Sequence, residues 1–231
     1  MNGRLSQSEP TAVGGSDVRW HGEVAVRAVR LDRFHPQPEE LSWLTPAETG
    51  RAGRLVALRD RRNFQRRRIA LRYFVAELAG VSPGSLMPSY VCPVHGEGGD
   101  HGRPGFHGVP GSFSATSSQG WAMMAGTMTA GLRVGVDCER NGAADFAGFT
   151  RLMHPAEQVA LVRCETAADR SRFRTECWAA TEAWLKLRGT GLQEDPAAVD
   201  TVALRSAGTV ELLDAADYGL PESLVLALAV G

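Results

Sequence analysis

The amino-acid sequence predicts an α+β fold, and three observations support this. Strand-like and helix-like segments are grouped along the chain instead of alternating regularly. Two strand-like segments flank a tight Ala130-Gly131 turn, which indicates antiparallel pairing. Neither GxGxxG after a strand nor GxxxxGK[ST] occurs, so the glycine-rich fingerprints of many parallel-sheet proteins are missing. Each half of the chain is therefore expected to contain antiparallel strands and helices of its own.

Composition excludes several classes of protein. The 231 residues are 43% hydrophobic and 22% charged, as in globular domains, and no apolar run approaches the roughly 18 residues of a membrane span. The formal charge of -1 gives no reason to expect a nucleic acid as partner. The four cysteines show no CxxC pair, and residues 1–17 lack an apolar signal segment. We expect a cytoplasmic protein that binds no membrane and has a flexible tail at residues 1–17.

The first half is predicted to contain one strand and two helices. Val24–Leu31 alternates in a way that is typical of a strand. Thr45 is suited to cap a helix that has Pro46 at its first position. Apolar residues recur at helical intervals from Asp60 to Leu78, and Gly80 supplies a stop signal.

The long helix of the first half is strongly basic. Nine arginines lie between Arg51 and Arg72, against the single acid Asp60. A solvated helix face is one interpretation, and a ligand reached by a few of the arginines is another. Residues 95–111 follow as a loop too rich in Gly, Pro and His for regular structure. The spacing of potential zinc ligands in this region matches no closed zinc site: Cys92, His95, His101 and His107.

A hairpin is predicted where the two halves of the chain meet, and the second half is predicted to end in strands. Trp121–Thr127 and Leu132–Glu139 form the two arms of the hairpin. A helix begins at Pro155, and a stronger one runs from Asp169 as N-cap to Arg188. Three further strands are expected at Thr201–Ser206, Thr209–Leu213 and Leu224–Val230.

Two short patterns carry candidate chemistry. Asp137 and Glu139, two apart on a predicted strand, share one face, although an isolated DxE is also typical of a solvated strand. Trp178, Glu182 and Lys186 recur every four residues on a helix, where the last two are also typical of a surface pair. Lys186 is nevertheless the only lysine among the 25 basic residues. Three carboxylates together suggest Mg²⁺ held with a substrate phosphate.

These segments resemble the 4'-phosphopantetheinyl transferases, specifically the surfactin-synthetase-activating type. The pattern is GVDCE at 135–139, then W-x-x-x-E-x-x-x-K at 178–186 and Gly189-Thr190-Gly191-Leu192. The resemblance covers roughly residues 40–230. Comparable upstream segments occur in the family's order: Arg68-x-x-x-Arg72, His101-Gly102-Arg103-Pro104 and Phe113-Ser114-Ala115-Thr116-Ser117-Ser118.

The resemblance implies a pseudo-twofold monomer of two similar α+β subdomains, residues 18–130 and 131–231, with coenzyme A and Mg²⁺ between them. It implies transfer of the 4'-phosphopantetheine arm of coenzyme A to a serine of an acyl or peptidyl carrier protein, as in secondary metabolite biosynthesis. Three groups of residues match the family's functional positions: Asp137, Glu139 and Glu182 for the metal; Glu182 as base and Lys186 on the pyrophosphate for catalysis; Arg51, Gly102, Arg103, Thr116, Ser117 and Lys186 for coenzyme A.

Two residues depart from the family's pattern. Ser117 stands where the family typically has a histidine that contacts the diphosphate, and Thr181 stands where a lysine usually precedes the catalytic glutamate. Both departures remove a positive donor near the phosphates. They leave a second hypothesis open, that of a non-catalytic or repurposed transferase-like protein that binds a carrier protein or coenzyme A.

Overall fold

A computed structural model describes residues 17–92, 94, 96, 97 and 101–231 of the chain. The predicted tail lies outside these residues except for Asp17. His95, one of the four residues considered as zinc ligands, also lies outside them. The strands are β1 Arg19–His21, β2 Val24–Arg30, β3 Pro88–Cys92, β4 Gly96–Glu97, β5 Arg103–Phe106, β6 Ser112–Ser118, β7 Trp121–Thr127, β8 Val134–Arg140, β9 Val210–Leu213 and β10 Leu224–Val230. The α-helices are α1 Pro38–Leu41, α2 Pro46–Arg54, α3 Leu58–Ala79, α4 Pro155–Val162, α5 Ala167–Arg188 and α6 Thr201–Ser206.

The described strands form three antiparallel sheets, which confirms the α+β class. The first sheet has the order β1-β2-β7-β6, the second β8-β10-β9 and the third β4-β3-β5. One face of the first sheet packs against one face of the second, where Val26 and Met123 share a buried cluster with Val136 and Leu226. No α-helix in the described part of the chain is long and apolar enough to cross a membrane.

The two long helices cover the outer faces of these sheets. Helix α3 packs Ile69 and Phe74 into a cluster with residues of β2, β6 and β7. Helix α5 contributes Ala179, Ala180 and Ala183 to a cluster with β10. Because alanine side chains are short, α5 can approach the second sheet closely, and this contact positions the candidate site.

Side-chain hydroxyls join the first sheet to the second. β6 and β8 are edge strands of the two sheets. Ser112 and Ser114 accept hydrogen bonds from backbone N–H groups of β8, at 3.1 and 3.0 Å. Two residues further along β6, the hydroxyl of Thr116 donates to Oδ1 of Asp137 at 3.0 Å. We call Ser112, Ser114 and Thr116 the hydroxyl row, since the period of two along a strand directs all three toward β8.

The helical parts of the two halves repeat each other. Helices α2 and α4 both begin with a capping box and a proline at the first position, and α3 and α5 each have 22 residues. The match supports a duplicated α+β arrangement. One constant interval separates three pairs of positions: Thr45 and His154, which cap α2 and α4; Leu58 and Ala167, which begin α3 and α5; and Gly80 and Gly189, the left-handed caps that follow them.

Several predictions of local structure are confirmed. Pro46 and Pro155 occupy the first positions of α2 and α4, and Gly80 and Gly189 end the two long helices. The last predicted strand coincides with β10. The N-cap of α5 is Thr166 instead of Asp169, which lies in the first turn and completes the capping box.

The predicted hairpin is wrong, because β7 and β8 belong to different sheets. β7 already has β2 on one side and β6 on the other, so β8 pairs with β10 instead. The turn between them therefore connects the two sheets. Sequence periodicity identified both strands but carried no information on their partners.

Two other expectations are also wrong. Thr201–Ser206 is helix α6, not a strand, and Asp200 caps it by accepting from the N–H of Ala203. The glycine-rich segment at 95–111 contains β5, which pairs with β3 over Pro88–Val91. This strand depends on a distant partner, so local composition did not reveal it.

Candidate functional site

Strand β8 and helix α5 meet at Gly135. A Cβ at this position would lie 2.0 Å from the carbonyl oxygen of Ala183 and 2.5 Å from the backbone nitrogen of Leu187. Only glycine allows such an approach. Asp137 and Glu139 follow on the same face of β8, so the first residue of the GVDCE pattern places both carboxylates beside the helix.

The carboxylate oxygens of Asp137 lie in different surroundings. The residue is 2% exposed. Its Oδ1 accepts from the hydroxyl of Thr116 at 3.0 Å and from the ammonium of Lys186. Its Oδ2 is buried and has no hydrogen-bond partner among the described residues. Because an unsatisfied buried oxygen costs free energy, Oδ2 is an atom that a bound cation would stabilise.

Glu182 and Lys186, one turn apart on α5, lie beside Asp137 and Glu139 of β8. Lys186 lies 3.9 Å from the carboxylate of Glu182 and also contacts Asp137. Burial raises the pKa of Glu182, Lys186 opposes this, and Asp137 adds to it. Burial and then the charge of Asp137 raise the pKa of Glu139 to about 7, against the effects of Lys186 and a hydrogen bond from Trp178. In this part of the structure the three acids share one ammonium group, so negative charge stays under-compensated.

The carboxylate oxygens of this cluster suit Mg²⁺, provided that other ligands complete the coordination of the ion. Mg²⁺ prefers carboxylate oxygens and usually keeps several waters, with one or two carboxylates and substrate phosphates. The partnerless Oδ2 of Asp137 is such a donor. Among the described residues no group of three or more Asp, Glu, His or Cys side chains is arranged to hold a metal by itself. Metal binding by Asp137, Glu139 and Glu182 thus stays a prediction, and it requires water and phosphate oxygens as further ligands.

A first cavity, of about 430 Å³, lies beside this cluster. Glu182 and Lys186 form part of its wall, and Ser114 and Ala115 of β6 form another. The remaining wall combines the loop after α5 with the start of β5, including Gly102, Arg103, Gly189, Thr190, Gly191 and Leu192. Two of the residues predicted to bind coenzyme A therefore lie in the same cavity as the predicted catalytic pair.

Gly102 and Arg103 also have clear structural roles. A Cβ on Gly102, whose φ is +110°, would lie 2.2 Å from the carbonyl oxygen of Val91. The guanidinium of Arg103 donates to the carbonyl oxygens of Lys186, at 3.3 Å, and Leu187, and so satisfies the end of α5. Burial, with a smaller effect from Arg133, lowers the pKa of Arg103. Its contacts tie β5 to α5 beside the catalytic candidates.

A second cavity, of about 420 Å³, is lined by basic residues from α2 and α3. Arg51 and Ser117, both predicted to contact coenzyme A, line it together with Arg59 and Arg67. Arg67 donates to the hydroxyl of Ser117 at 3.1 Å. Burial, together with the charges of Arg68 and Arg51, lowers the pKa of Arg67 to about 10. An arginine thus supplies positive charge where the sequence showed only the loss of a histidine.

Other members of the arginine cluster are structural. Arg72 is 1% exposed and donates to Glu48 at 2.7 Å and to the carbonyl of Trp43 at 3.0 Å. Arg68 lies over the rings of Phe64 and Tyr90, with its guanidinium carbon 4.9 and 4.3 Å from their centroids. The interpretation of the cluster as a solvated face therefore fails for these two buried side chains.

Sequence reasoning missed two contacts of the site. Arg67 was one of nine arginines, and no local pattern distinguished it from its neighbours. The resemblance places Thr116 at coenzyme A but does not indicate that its hydroxyl donates to Asp137, and Thr116 is not among the residues lining either cavity. In both contacts the partners lie far apart in the chain, so only the tertiary structure reveals them.

Comparison with known proteins supports the second half most directly. Residues 133–223 match the family model described as the 4'-phosphopantetheinyl transferase superfamily. The matched range includes Asp137, Glu139, Glu182 and Lys186, but not Thr116 or the arginines of the second cavity. A search of curated proteins found no match to the chain.

Proposed function

We propose that this protein transfers the 4'-phosphopantetheine arm of coenzyme A to a serine hydroxyl of an acyl or peptidyl carrier protein. The observation that carries the proposal is the cluster of Asp137, Glu139 and Glu182 around the single ammonium of Lys186, with Oδ2 of Asp137 buried and unpartnered. The family match over residues 133–223 supports this assignment.

In this reaction the serine oxygen attacks a pyrophosphate phosphorus of coenzyme A. The new P–O bond replaces the bond to the departing 3',5'-adenosine bisphosphate, and the serine proton passes to Glu182 directly or through water. The raised pKa of Glu182 makes its carboxylate a stronger proton acceptor than that of an exposed glutamate. Lys186 places its ammonium against the phosphoryl oxygens, where negative charge develops.

Asp137, Glu139 and Glu182 are the residues that would hold Mg²⁺. Bound there, the ion would neutralise charge on the phosphate oxygens of the substrate. Arg51 and Arg67 would bind a phosphate in the second cavity, because guanidinium groups make strong charge-assisted hydrogen bonds to phosphate oxygens. Gly102 and Arg103 would border the substrate in the first cavity.

The finer assignments are part of the same proposal. We retain the surfactin-synthetase-activating type because residues of both halves line the first cavity, together with Glu182 and Lys186. We propose a monomer acting in the cytoplasm, in secondary metabolite biosynthesis. None of the four cysteines, all within the described residues, forms a disulfide, which is consistent with a reducing compartment.

The test is the intact mass of an apo carrier protein after incubation with coenzyme A, Mg²⁺ and this protein. We expect a mass increase equal to one phosphopantetheine arm, abolished by a chelator and by replacement of the carrier serine with alanine. The variant Glu182→Gln is the matched control, since it keeps the shape of the side chain. Coenzyme A binding without mass change on acyl and peptidyl carriers alike would favour the non-catalytic hypothesis.

A further inference from the structure

We infer that Thr116 is a positioning residue that sets the orientation of the Asp137 carboxylate across the joint between the two sheets. It holds Oδ1 toward β6 and leaves Oδ2 for a divalent cation. The choice of a divalent cation rests on the proposed function. The hydroxyl contact itself rests on the structure.

The hydroxyl row distinguishes Thr116 from its two neighbours. Ser112 and Ser114 accept from backbone N–H groups of Val134 and Val136, so they join the two edge strands and contact no acid there. Thr116 continues the row in the same direction but donates to a side chain, Oδ1 of Asp137. Of the three hydroxyls, this one directly connects the first sheet to the acidic cluster.

The hydroxyl of Thr116 is fully engaged as a donor. A threonine hydroxyl has one hydrogen to donate, and here Asp137 receives it. Thr116 is 7% exposed. These facts show that its hydroxyl donates to the acid, while the contact with coenzyme A that the resemblance implies stays a prediction.

Two donors on one oxygen give the carboxylate a defined orientation. The terminal torsion of an aspartate is broad and nearly two-fold, so its two oxygens exchange places readily when nothing distinguishes them. Lys186 contacts Oδ1, but its long side chain also lies near Glu182 and can follow a rotating carboxylate. Thr116 has a short side chain on a strand, so its hydroxyl fixes which oxygen of Asp137 stays free.

The experiment measures Mn²⁺ binding to the purified protein by electron paramagnetic resonance, without coenzyme A or carrier protein. Groups that orient a metal ligand typically contribute about 10–100-fold to metal affinity. We therefore expect Thr116→Val, which keeps the shape and removes the hydroxyl, to weaken Mn²⁺ binding by about 10–100-fold. Thr116→Ser restores the hydroxyl and is expected to bind Mn²⁺ about as tightly as the wild type.

Ser112→Ala is the matched control, because it removes another hydroxyl of the row, one that accepts from the N–H of Val134 and lines neither cavity. Urea unfolding of each variant measures the structural cost separately. Ser112→Ala is expected to lose stability while keeping wild-type Mn²⁺ affinity. If Thr116→Val does not fold, Thr116→Ala compared with Thr116→Ser provides the same contrast in the hydroxyl.

Three results would overturn the inference: unchanged Mn²⁺ affinity in Thr116→Val, equal weakening in Thr116→Val and Ser112→Ala, or a wild type that binds no Mn²⁺ at millimolar concentration. The mass assay on carrier proteins is independent of these titrations. A protein that transfers no arm but loses Mn²⁺ affinity only in the variants without the Thr116 hydroxyl would overturn the proposed function and support the positioning role.

Discussion

Both halves of the chain carry a strand-to-helix ion pair at corresponding positions, with opposite polarity. In the first half Arg27 of β2 binds Glu77 of α3 at 2.8 Å. In the second half Asp137 of β8 binds Lys186 of α5. Arg27 and Asp137 are each the fourth residue of a seven-residue strand, and Glu77 and Lys186 precede the helix-ending glycines by the same distance.

The surroundings of the two pairs differ in charge. Around Arg27 and Glu77 the corresponding strand and helix positions are occupied by Val29 and Tyr73, whereas the second half has Glu139 and Glu182. The first pair is therefore balanced, and the second has two additional acids. The duplicated scaffold carries candidate chemistry in the half where charge is left under-compensated.

A buried carboxylate does not by itself mark a site. Glu48 is 0% exposed, yet it accepts from Arg72 at 2.7 Å, Tyr90 at 2.5 Å and the N–H of Thr45 at 2.9 Å. Burial acts to raise its pKa, but Arg72, assisted by Tyr90 and Thr45, lowers the pKa overall. Glu48 is satisfied internally, whereas Asp137 retains an oxygen without a partner.

The largest expected effect is a loss of stability in the first half. Arg72→Met removes the hydrogen-bonded charge partner of buried Glu48 and leaves only Arg68, 3.8 Å away, as a cation beside it, so it is expected to cost about 3–5 kcal/mol of unfolding free energy. Urea unfolding measures this cost. The double variant Glu48→Gln with Arg72→Met removes both charges and should recover part of the loss. A single variant as stable as the double would show that the pair is not the determinant.

The next effect concerns activity in the second half. Glu182→Gln is expected to reduce transfer by about 10²-fold or more, with unfolding free energy unchanged or increased, because it removes a destabilising acid. Intact-mass kinetics and urea unfolding measure the two quantities. Tyr73→Phe, at the corresponding position of α3, should leave transfer per folded molecule unchanged. Near wild-type transfer in Glu182→Gln would refute the proposed site.

Substitution of Lys186 tests the role of the positive charge that α5 contributes to the Asp137–Lys186 pair. Lys186→Ala is expected to lower kcat by about tenfold or more, the scale of a lost charged hydrogen bond. Lys186→Arg should not restore it, because the planar guanidinium is larger than a compact ammonium. Glu77→Gln in the first half is the control and should leave kcat unaffected. Full activity in Lys186→Arg would mean that Lys186 acts only as an ion-pair partner of Glu182.

The pH dependence of stability should differ between corresponding buried glutamates, Glu48 of α2 and Glu157 of α4. The pKa of Glu48 is lowered, so its stabilising contribution is present above its unfolded pKa and is lost as pH falls through its folded pKa. Burial raises the pKa of Glu157, against hydrogen bonds from Thr201 and His154, so its contribution is lost as pH rises through its folded pKa.

Urea unfolding from about pH 3 to about pH 8 separates the two residues, because the loss at Glu48 occurs below the ordinary pKa of a glutamate and the loss at Glu157 occurs above it. Glu157→Gln should reduce the decline of stability toward higher pH, and Glu48→Gln with Arg72→Met should reduce the decline toward lower pH. Identical pH profiles for wild type and Glu157→Gln would contradict the assignment.

The smallest effect is expected at the second cavity. Ser117→Ala removes the hydroxyl that accepts from Arg67, and a neutral partner of this kind contributes about 0.5–1.5 kcal/mol. We expect the KM for coenzyme A to rise about 2–10-fold with kcat nearly unchanged. In the Arg67→Met background the same change should have no effect, because the two side chains act together. Additive effects would show that they act independently.

Local signals in the sequence determined helices α2 to α5 and singled out the candidate site residues of β8 and α5. Proline after a capping residue began α2 and α4, and glycine in a left-handed conformation followed α3 and α5. The period of two on β8 and of four on α5 predicted which acids face the helix. These features follow from backbone geometry within a few residues, so neighbouring positions suffice to specify them.

Only the tertiary structure decided which strands pair, which arginines are buried and what Thr116 binds. β7 and β8 are neighbours in sequence but lie in different sheets. Arg72 is buried because Glu48, from another helix, satisfies it, while Arg67 reaches Ser117 on β6. Each outcome depends on hydrogen bonds and charges between segments distant in the chain, and the free energy of such contacts is defined only once the sheets and helices have packed.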